Sequence, residues 1–378
     1  MTVINSIADL RERARRRLPR ALFDYIDRGS YDERTWTRNR DDLRAITLRQ
    51  RVMVDVSNLD TSTMVLGDRW AFPLALAPTG LMGLFHREGE IQAARAARAA
   101  GIPLCLSTMS ICPLEDVRAA FDGTLWFQLY VMRDRGLTDA LIARAQAAGC
   151  RALVVTLDLP LQALRRRDPK NGLAVPPRLT WASAADFLVR PSWVMDLLRS
   201  RHRTFGNLAT FFPKKGTAEL SEWMGSQLGS LMPQDLAWVR DRWPGKLILK
   251  GILDAEDAKL AVTTGADAVI VSNHGGRQLD GATSTIAVLP RVIDAVQGRC
   301  EVLMDGGISG GQDVLKALAS GARGCLTGKA FLYGLASRGQ AGVALALDIL
   351  RKEFEISMAL TGSRCVADVG PANLAQTT

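Results

Sequence analysis

Ala268-Val269-Ile270-Val271-Ser272-Asn273-His274-Gly275-Gly276-Arg277-Gln278-Leu279-Asp280 is an apolar run that breaks into a base, two glycines and a fixed cation. The run Ala268–Val271 reads as a strand buried on both faces, as in a parallel sheet covered by helices. The glycines that follow let a backbone come close. An imidazole and a guanidinium three residues apart, at the C-terminal end of a strand, suit a substrate carrying both a removable proton and a carboxylate. The chain has three histidines, and of these His274 alone has such a setting. A Gly-rich loop with a chance histidine is the plain alternative.

Seven further apolar runs extend the pattern outward. They are Pro73–Ala77, Pro103–Ser107, Leu125–Val131, Ala152–Leu157, Lys246–Lys250, Glu301–Met304 and Gly324–Thr327. Helical patterns separate most of them, at Glu88–Ala100, Thr138–Ala148, Ala255–Thr264, Ile286–Val296 and Gln312–Ala319. Eight strand–helix alternations predict an α/β fold, a (β/α)8 TIM barrel. A doubly wound sheet would want a G-x-G-x-x-G turn after an early strand, and the sequence has none there. We expect one domain over residues 1–378. Its parts are an N-terminal helical extension (1–70), the barrel (71–335), a long loop after strand 4 (160–235) and C-terminal helices (336–378).

Composition narrows the class. The chain has 378 residues, 47% of them hydrophobic, and a formal net charge of +9. With no basic tail or nucleic-acid module, the charge points to anionic substrates or a membrane surface, and no nucleic-acid partner is expected. Cys105, Cys112, Cys150, Cys300, Cys325 and Cys365 form no C-x-x-C pair. Reduced thiols in a cytoplasmic protein are therefore expected, with no metal site. The charged N-terminus shows no apolar signal region, and no run is long enough to span a bilayer.

Barrel enzymes work at the C-terminal ends of their strands. Read in order, those ends carry Pro78-Thr79-Gly80, Ser107 and Met109, Gln128 and Tyr130, Thr156 and Asp158, Lys250, Ser272 with His274 and Arg277, Asp305-Gly306-Gly307, and Gly328-Lys329. The last two, with a helix between them, form a phosphate-site signature; plain Gly-rich turns are the alternative. Lys250 is either a structural ion pair, a cation for an anionic cofactor atom, or a Schiff-base former. Asp158 either caps a turn or supports the imidazolium of His274. Gln128 and Tyr130 alternate along one strand and so share a face; a tyrosine merely packed there is the alternative.

These residues resemble the FMN-dependent 2-hydroxy-acid oxidoreductases: glycolate oxidase, (S)-mandelate dehydrogenase and L-lactate dehydrogenases, closest in look to the bacterial L-lactate enzymes. The markers are Phe23-Asp24-Tyr25, Ala77–Gly80, Phe127–Tyr130, Thr156-Leu157-Asp158, Leu249-Lys250-Gly251, the 272–280 segment and Asp305-Gly306-Gly307, spread from Leu18 to about residue 366. The resemblance implies FMN as cofactor and oxidation of an (S)-2-hydroxy acid to the 2-oxo acid. It implies His274 as the base, with Asp158 behind it. Arg165 and Arg277 would hold the substrate carboxylate with Tyr25, Tyr130 would bond the substrate, and Lys250 would face the flavin pyrimidine edge. Residues 78–80, Ser107, Gln128, Thr156 and Ser272 would line the flavin, and Asp305, Gly306, Gly307, Gly328 and Lys329 its phosphate end.

Two departures from the family pattern matter. The family's arginine after Asp-Gly-Gly is Ser309 here, and its Gly-Arg on strand eight is Gly328-Lys329. Loss of one guanidinium fork and replacement of the other by a point charge predict weaker, salt-sensitive phosphate binding. Gly80, where the oxidases tend to have alanine, resembles the dehydrogenase branch. Met109 suits a lactate-sized or somewhat larger side chain, with mandelate as runner-up. An oxygen-using oxidase is the second reading, and a flavin-binding barrel without catalysis the third; Ser309 is the sole support of the third.

The long loop interleaves Trp181, Phe187, Trp193, Val194, Leu197, Leu198, Phe205, Phe211 and Phe212 with Arg178, Arg190, Arg199, Arg201, Arg203, Lys214 and Lys215. Over 178–215 this fits a segment lying on a membrane, and the membrane-associated mandelate dehydrogenase has its anchor at this place. A lid or subunit contact is the alternative. The membrane reading makes quinone the electron acceptor and puts the protein on the inner face of the cytoplasmic membrane. The family resemblance also implies a homo-oligomer, often a tetramer.

Overall fold

In the computed structural model, which describes residues 3–171, 186 and 189–375, all eight apolar runs are strands. A short hairpin, β1 (Thr63–Val65) and β2 (Asp68–Trp70), precedes them. The eight are β3 (Leu74–Leu76), β4 (Leu104–Ser107), β5 (Leu125–Leu129), β6 (Ala152–Thr156), β7 (Lys246–Ile252), β8 (Ala268–Val271), β9 (Glu301–Met304) and β10 (Gly324–Thr327). They close into a parallel barrel in chain order, with β10 pairing to β3 through Leu326↔Ala75.

Period-2 alternation explains why these runs read as uniformly apolar. On β8, Ala268 and Ile270 point into the barrel, in one cluster with Ile248, Val154, Leu303 and Leu326. Val269 and Val271 belong to the outer layer under the helices. Both faces are dry, so neither can carry a polar residue until the strand ends.

The hairpin adds two short strands to the helical extension expected over residues 1–70. Its two-residue turn, Leu66-Gly67, has φ of 52° and 84°, the geometry that matches the twist of paired strands. It carries Val65, Leu66 and Trp70 into the inner cluster, and Trp70 packs on Trp126 at 5.5 Å. The barrel floor is thus plugged by the extension.

The rest of the extension works at the other end. Its helices Ile7–Arg17, Arg20–Asp27 and Arg34–Ala45 were expected as helical, and the last two reach the mouth. Gly276, at φ +73°, has the backbone of Trp36 against it: a Cβ would lie 2.5 Å from Trp36 N. Ser30 N donates to Gly276 O at 2.9 Å. Asp280 accepts from Asp32 N and Thr35 N, both at 2.9 Å, at the start of the helix Arg34–Ala45. The close backbone approach expected at this glycine is therefore made by the chain's own extension.

Between β6 and β7 the described part of the long connection holds the helices Pro191–Arg199, Gly206–Ala209, Thr217–Gln227 and Pro233–Arg242. After β10 a helix runs Lys329–Leu360, broken at Arg338 and Gly339. All six cysteines are free. Among the described residues no helix is long and apolar enough to cross a membrane, and no cluster could hold a metal ion.

Candidate active site

The β8 end turns sharply. His274 adopts φ +57°, in the left-handed region that residues other than glycine take uncommonly. Its amide donates to Ser272 Oγ at 3.1 Å, which fixes the turn. The ring then aims Nδ1 at Asp158 Oδ1, 3.0 Å away. Asp158 reaches this place because residue 251 is glycine: at φ +106° a Cβ there would lie 2.7 Å from Asp158 Cβ. Gln278 Nε2 holds the Asp158 carbonyl at 2.8 Å and the Leu161 carbonyl at 3.0 Å.

Burial opposes ionisation of Asp158, but the charge and hydrogen bond of His274, with Lys250 nearby, outweigh it and hold the carboxyl below its usual range. An ionised Asp158 accepts the Nδ1–H of His274, so whenever the ring is neutral the lone pair sits on Nε2. Among the described residues Nε2 has no partner.

Lys250 is buried. It donates to Asp305 Oδ2 at 2.8 Å and to Ser272 Oγ at 2.6 Å. Burial works against its charge, but Asp305 and Asp158 more than compensate, so the ammonium is held above its ordinary range. Beside it a polar chain crosses three strands: Ser107 Oγ donates to Gln128 Oε1 and Gln128 Nε2 to Thr156 Oγ1, both at 3.0 Å.

The Tyr25 ring lies between two guanidinium groups, Arg165 at 5.6 Å and Arg277 at 4.7 Å. Arg277 Nη1 also donates to the carbonyls of Tyr25 and Arg28. Burial and the charge of Arg165 bring Arg277 down to about 10. Among the described residues no carboxylate forms an ion pair with either arginine, and Arg165 Nε is buried without a partner. Asp168 lies near enough to act on both charges without forming an ion pair, and two adjacent cations that no carboxylate contacts make an anion site. Burial, then the charge of Asp158, pushes the Tyr130 phenol up, so it is a hydrogen-bond donor.

At the phosphate end, Gly306 and Gly307 have φ of +85° and +90°. Among the described residues the amides of Gly306, Gly307, Gly328 and Lys329 have no partner. Thr79 Oγ1 is buried and unpaired, as is Asp305 Oδ1. Ser309 is exposed and turned to Asp313, through its amide at 2.9 Å and its hydroxyl at 3.3 Å. Lys329 donates to the Asp27 carbonyl at 2.9 Å and lies 4.9 Å from the Trp36 ring. Burial and the charge of Arg277 push it well below its ordinary value. Free amides, an orphan hydroxyl, a polar wall at Gln128 and a buried cation fit a flavin mononucleotide, whose phosphate, ribityl chain and pyrimidine edge want those groups.

Gly80 packs on the Met109 turn: a Cβ would lie 3.1 Å from Met109 Cβ and 3.2 Å from Met109 O. An alanine here needs that turn to give way. In the long loop, Trp181, Phe187 and Arg178 lie outside the described residues. Trp193 and Phe205 are buried, with Trp193 Nε1 donating to Leu84 O at 2.7 Å. Val189, Met195, Leu198 and Phe211 are exposed. The aromatic anchors are thus split between an inward and an outward face. The positioning roles of Gln278, Gly251 and Trp36 were not read from the sequence, because an amide, a glycine and a tryptophan announce no chemistry by themselves.

The chain is similar to known proteins over nearly its whole length. The family model described as FMN-dependent dehydrogenase matches residues 14–376. The L-lactate dehydrogenase of Caulobacter vibrioides (strain NA1000 / CB15N) is 50% identical, over 99% of this chain and 98% of that one. That of Pectobacterium atrosepticum is 45% identical, over 100% and 98%. Among solved structures, the monotopic membrane protein (S)-mandelate dehydrogenase superposes with a TM-score of 0.95 at 35% identity, covering 100% of both chains. A mandelate oxidase gives 0.84 at 36% identity, covering 99% of each. With its barrel, its base–carboxylate pair and its flavin-sized set of free donors, the chain belongs to the FMN-dependent dehydrogenase family.

Proposed function

We propose that this protein oxidises (S)-2-hydroxy acids of the L-lactate type to 2-oxo acids. The observation that carries the reading is the His274–Asp158 pair beside two arginines that lack a carboxylate partner. Its curated relatives are L-lactate dehydrogenases, and its structural neighbours act on mandelate.

Arg165 and Arg277 take the substrate carboxylate, with Tyr25 between them, and Tyr130 donates to a substrate oxygen. His274 Nε2 removes a proton, and Asp158 stabilises the imidazolium that results. Both routes to the 2-oxo acid, hydride loss from Cα with deprotonation of the hydroxyl and deprotonation of Cα itself, use this one base. When bound, FMN supplies the acceptor for the two electrons. Lys250 places a buried positive charge at its pyrimidine edge. Gln128, Ser107, Thr156, Ser272 and Thr79, with Pro78 and Gly80, line the ring and chain. The free amides of Gly306, Gly307, Gly328 and Lys329, with Asp305, would hold its phosphate end. The test is anaerobic mixing of the yellow protein with a panel of (S)-2-hydroxy acids. L-Lactate should bleach the flavin absorbance fastest; no bleaching by any member of the panel would sink the reading. Recolouring should be slow in air and fast with a quinone analogue, which separates a dehydrogenase from an oxidase.

The acceptor we assign is a membrane quinone, with the protein held peripherally on the inner face of the cytoplasmic membrane. Val189, Met195, Leu198 and Phe211 form an exposed apolar set among Arg199, Arg203 and Lys214, which supports this. Deleting the loop would remove buried residues such as Trp193 and Phe205, so point changes are the better probe. Met195→Ser with Leu198→Ser should lose flotation with anionic liposomes while keeping wild-type turnover with a soluble dye. Equal flotation of the two proteins would refute the membrane role. Assembly as a homotetramer rests on the family resemblance and is read by light scattering.

A further inference from the structure

Residues 205–208 of the long connection pack against the turn that follows β4. Phe205, Asn207 and Leu208 are buried. A Cβ on Gly206 would lie 2.5 Å from Pro113 N and 2.7 Å from Ile111 O, and the Gly206 amide donates to Ser110 O at 3.0 Å. The Asn207 side chain is fully buried and uses both ends. Its Oδ1 accepts from Leu114 N at 2.9 Å; its Nδ2 donates to Ser110 Oγ at 2.9 Å and to Ser107 O at 3.2 Å. From the opposite side the buried Glu90 accepts from Ile111 N at 2.8 Å and Cys112 N at 3.4 Å.

The turn held in this way presents two site residues. Ser107 Oγ bonds Gln128 and accepts from Met109 N at 3.1 Å. Met109 O accepts from Leu81 N at 3.1 Å, next to Gly80. A methionine on a loose turn adapts to many shapes, because its side chain is unbranched and flexible. A methionine whose backbone is fixed on both sides has only its own rotamers left.

We propose that Asn207 is a positioning residue that sets side-chain selectivity, by fixing the backbone on which Met109 meets the substrate. The proposal rests on the 2-hydroxy-acid reading above. The site asks for one acceptor and two donor hydrogens on a planar group, which a carboxamide provides. Aspartate has no donor and would turn a negative oxygen toward Ser107 O. Alanine leaves the buried Leu114 amide without a partner and takes one of two bonds from Ser107 O and from Ser110 Oγ.

The experiment compares Asn207→Ala, Asn207→Asp and Ser110→Ala with wild type, all saturated with FMN. It measures kcat and KM for L-lactate and for (S)-2-hydroxyoctanoate with a soluble dye, alongside Tm. In Asn207→Ala the preference for L-lactate, as a ratio of kcat/KM values, should fall by about tenfold, mostly through KM. Asn207→Asp should fall further. Ser110→Ala, which removes one of the Asn207 bonds together with the bond from Ser110 Oγ to Cys112 O, should shift the ratio by about threefold in the same direction. It carries the test if the Asn207 variants do not fold. An unchanged ratio, with equal losses on both acids that follow Tm, overturns the proposal and leaves Asn207 a packing residue. If wild type oxidises neither acid, the 2-hydroxy-acid reading falls and this proposal with it. Activity of wild type on L-lactate with an invariant ratio sinks this proposal alone.

Discussion

His274→Gln is expected to lower kcat/KM for L-lactate by about 10²–10⁴-fold, the range that a positioned general base contributes. Glutamine keeps a hydrogen-bonding group near Asp158 but has no lone pair of useful basicity. Its removal should therefore act on proton transfer and leave binding intact. The flavin should stay bound with its visible spectrum unchanged, because no contact in the polar wall of Ser107, Gln128 and Thr156 involves the imidazole. The loss should sit in kcat, with KM within a few-fold, because Arg165 and Arg277 still hold the carboxylate. Asp158→Asn should lower the rate less than His274→Gln. An amide can offer its hydrogens to Nδ1 and so favour the wrong tautomer, but the base remains. Stopped-flow bleaching without oxygen reads all three proteins. A His274→Gln enzyme that bleaches at the wild-type rate would remove His274 from the chemistry.

The His274–Asp158 pair could be read from the chain because each partner ends a strand, and strand ends are where a dry apolar run first admits a polar residue. The eight strands were legible for the same reason: runs such as Leu247-Ile248-Leu249 are buried on both faces, inside by the barrel core and outside by helices. What failed to show was whatever depended on approach between distant segments. Gly276 announces a close contact but not its partner, and the partner is the Trp36 backbone from the extension. The β1–β2 hairpin was hidden because its turn puts a leucine, Leu66, at positive φ, where composition would have called for Asn or Gly. In the long loop the aromatic residues were visible, but their facing was not. Trp193 turns in to Leu84 O, while Leu198, five residues on, faces out. Lys329 shows the same limit: its charge was legible, its direction toward the Asp27 carbonyl was not.

Lys250→Met is the second change with a large expected effect, and its first readout needs no substrate. Lys250 and Asp305 form an ion pair at 2.8 Å, with side-chain exposures of 5% and 10%. Methionine has a similar length and would fill the space, so packing changes little. Asp305, however, keeps its charge in a dry place, and its Oδ1 already has no partner. Breaking a buried pair from one side costs about 3–5 kcal/mol, because the remaining charge is left uncompensated. The denaturation midpoint of Lys250→Met should fall accordingly near neutral pH. Lys250→Met combined with Asp305→Asn removes the orphan charge and should recover more than half of the loss. The pH dependence has a definite sign. The Lys250 pKa is raised in the fold, so the pair's contribution is complete below the ordinary lysine value and is lost as pH rises through the raised one. On the alkaline side, wild type and the single variant should therefore converge in stability as pH rises through the raised lysine value. Flavin reduction by L-lactate should slow sharply in the single variant and stay slow in the double, because neither restores a cation at the pyrimidine edge. Recovery of stability without recovery of rate would separate the two roles of this lysine. A Lys250→Met protein as stable as wild type would show that the pair contributes nothing to the fold.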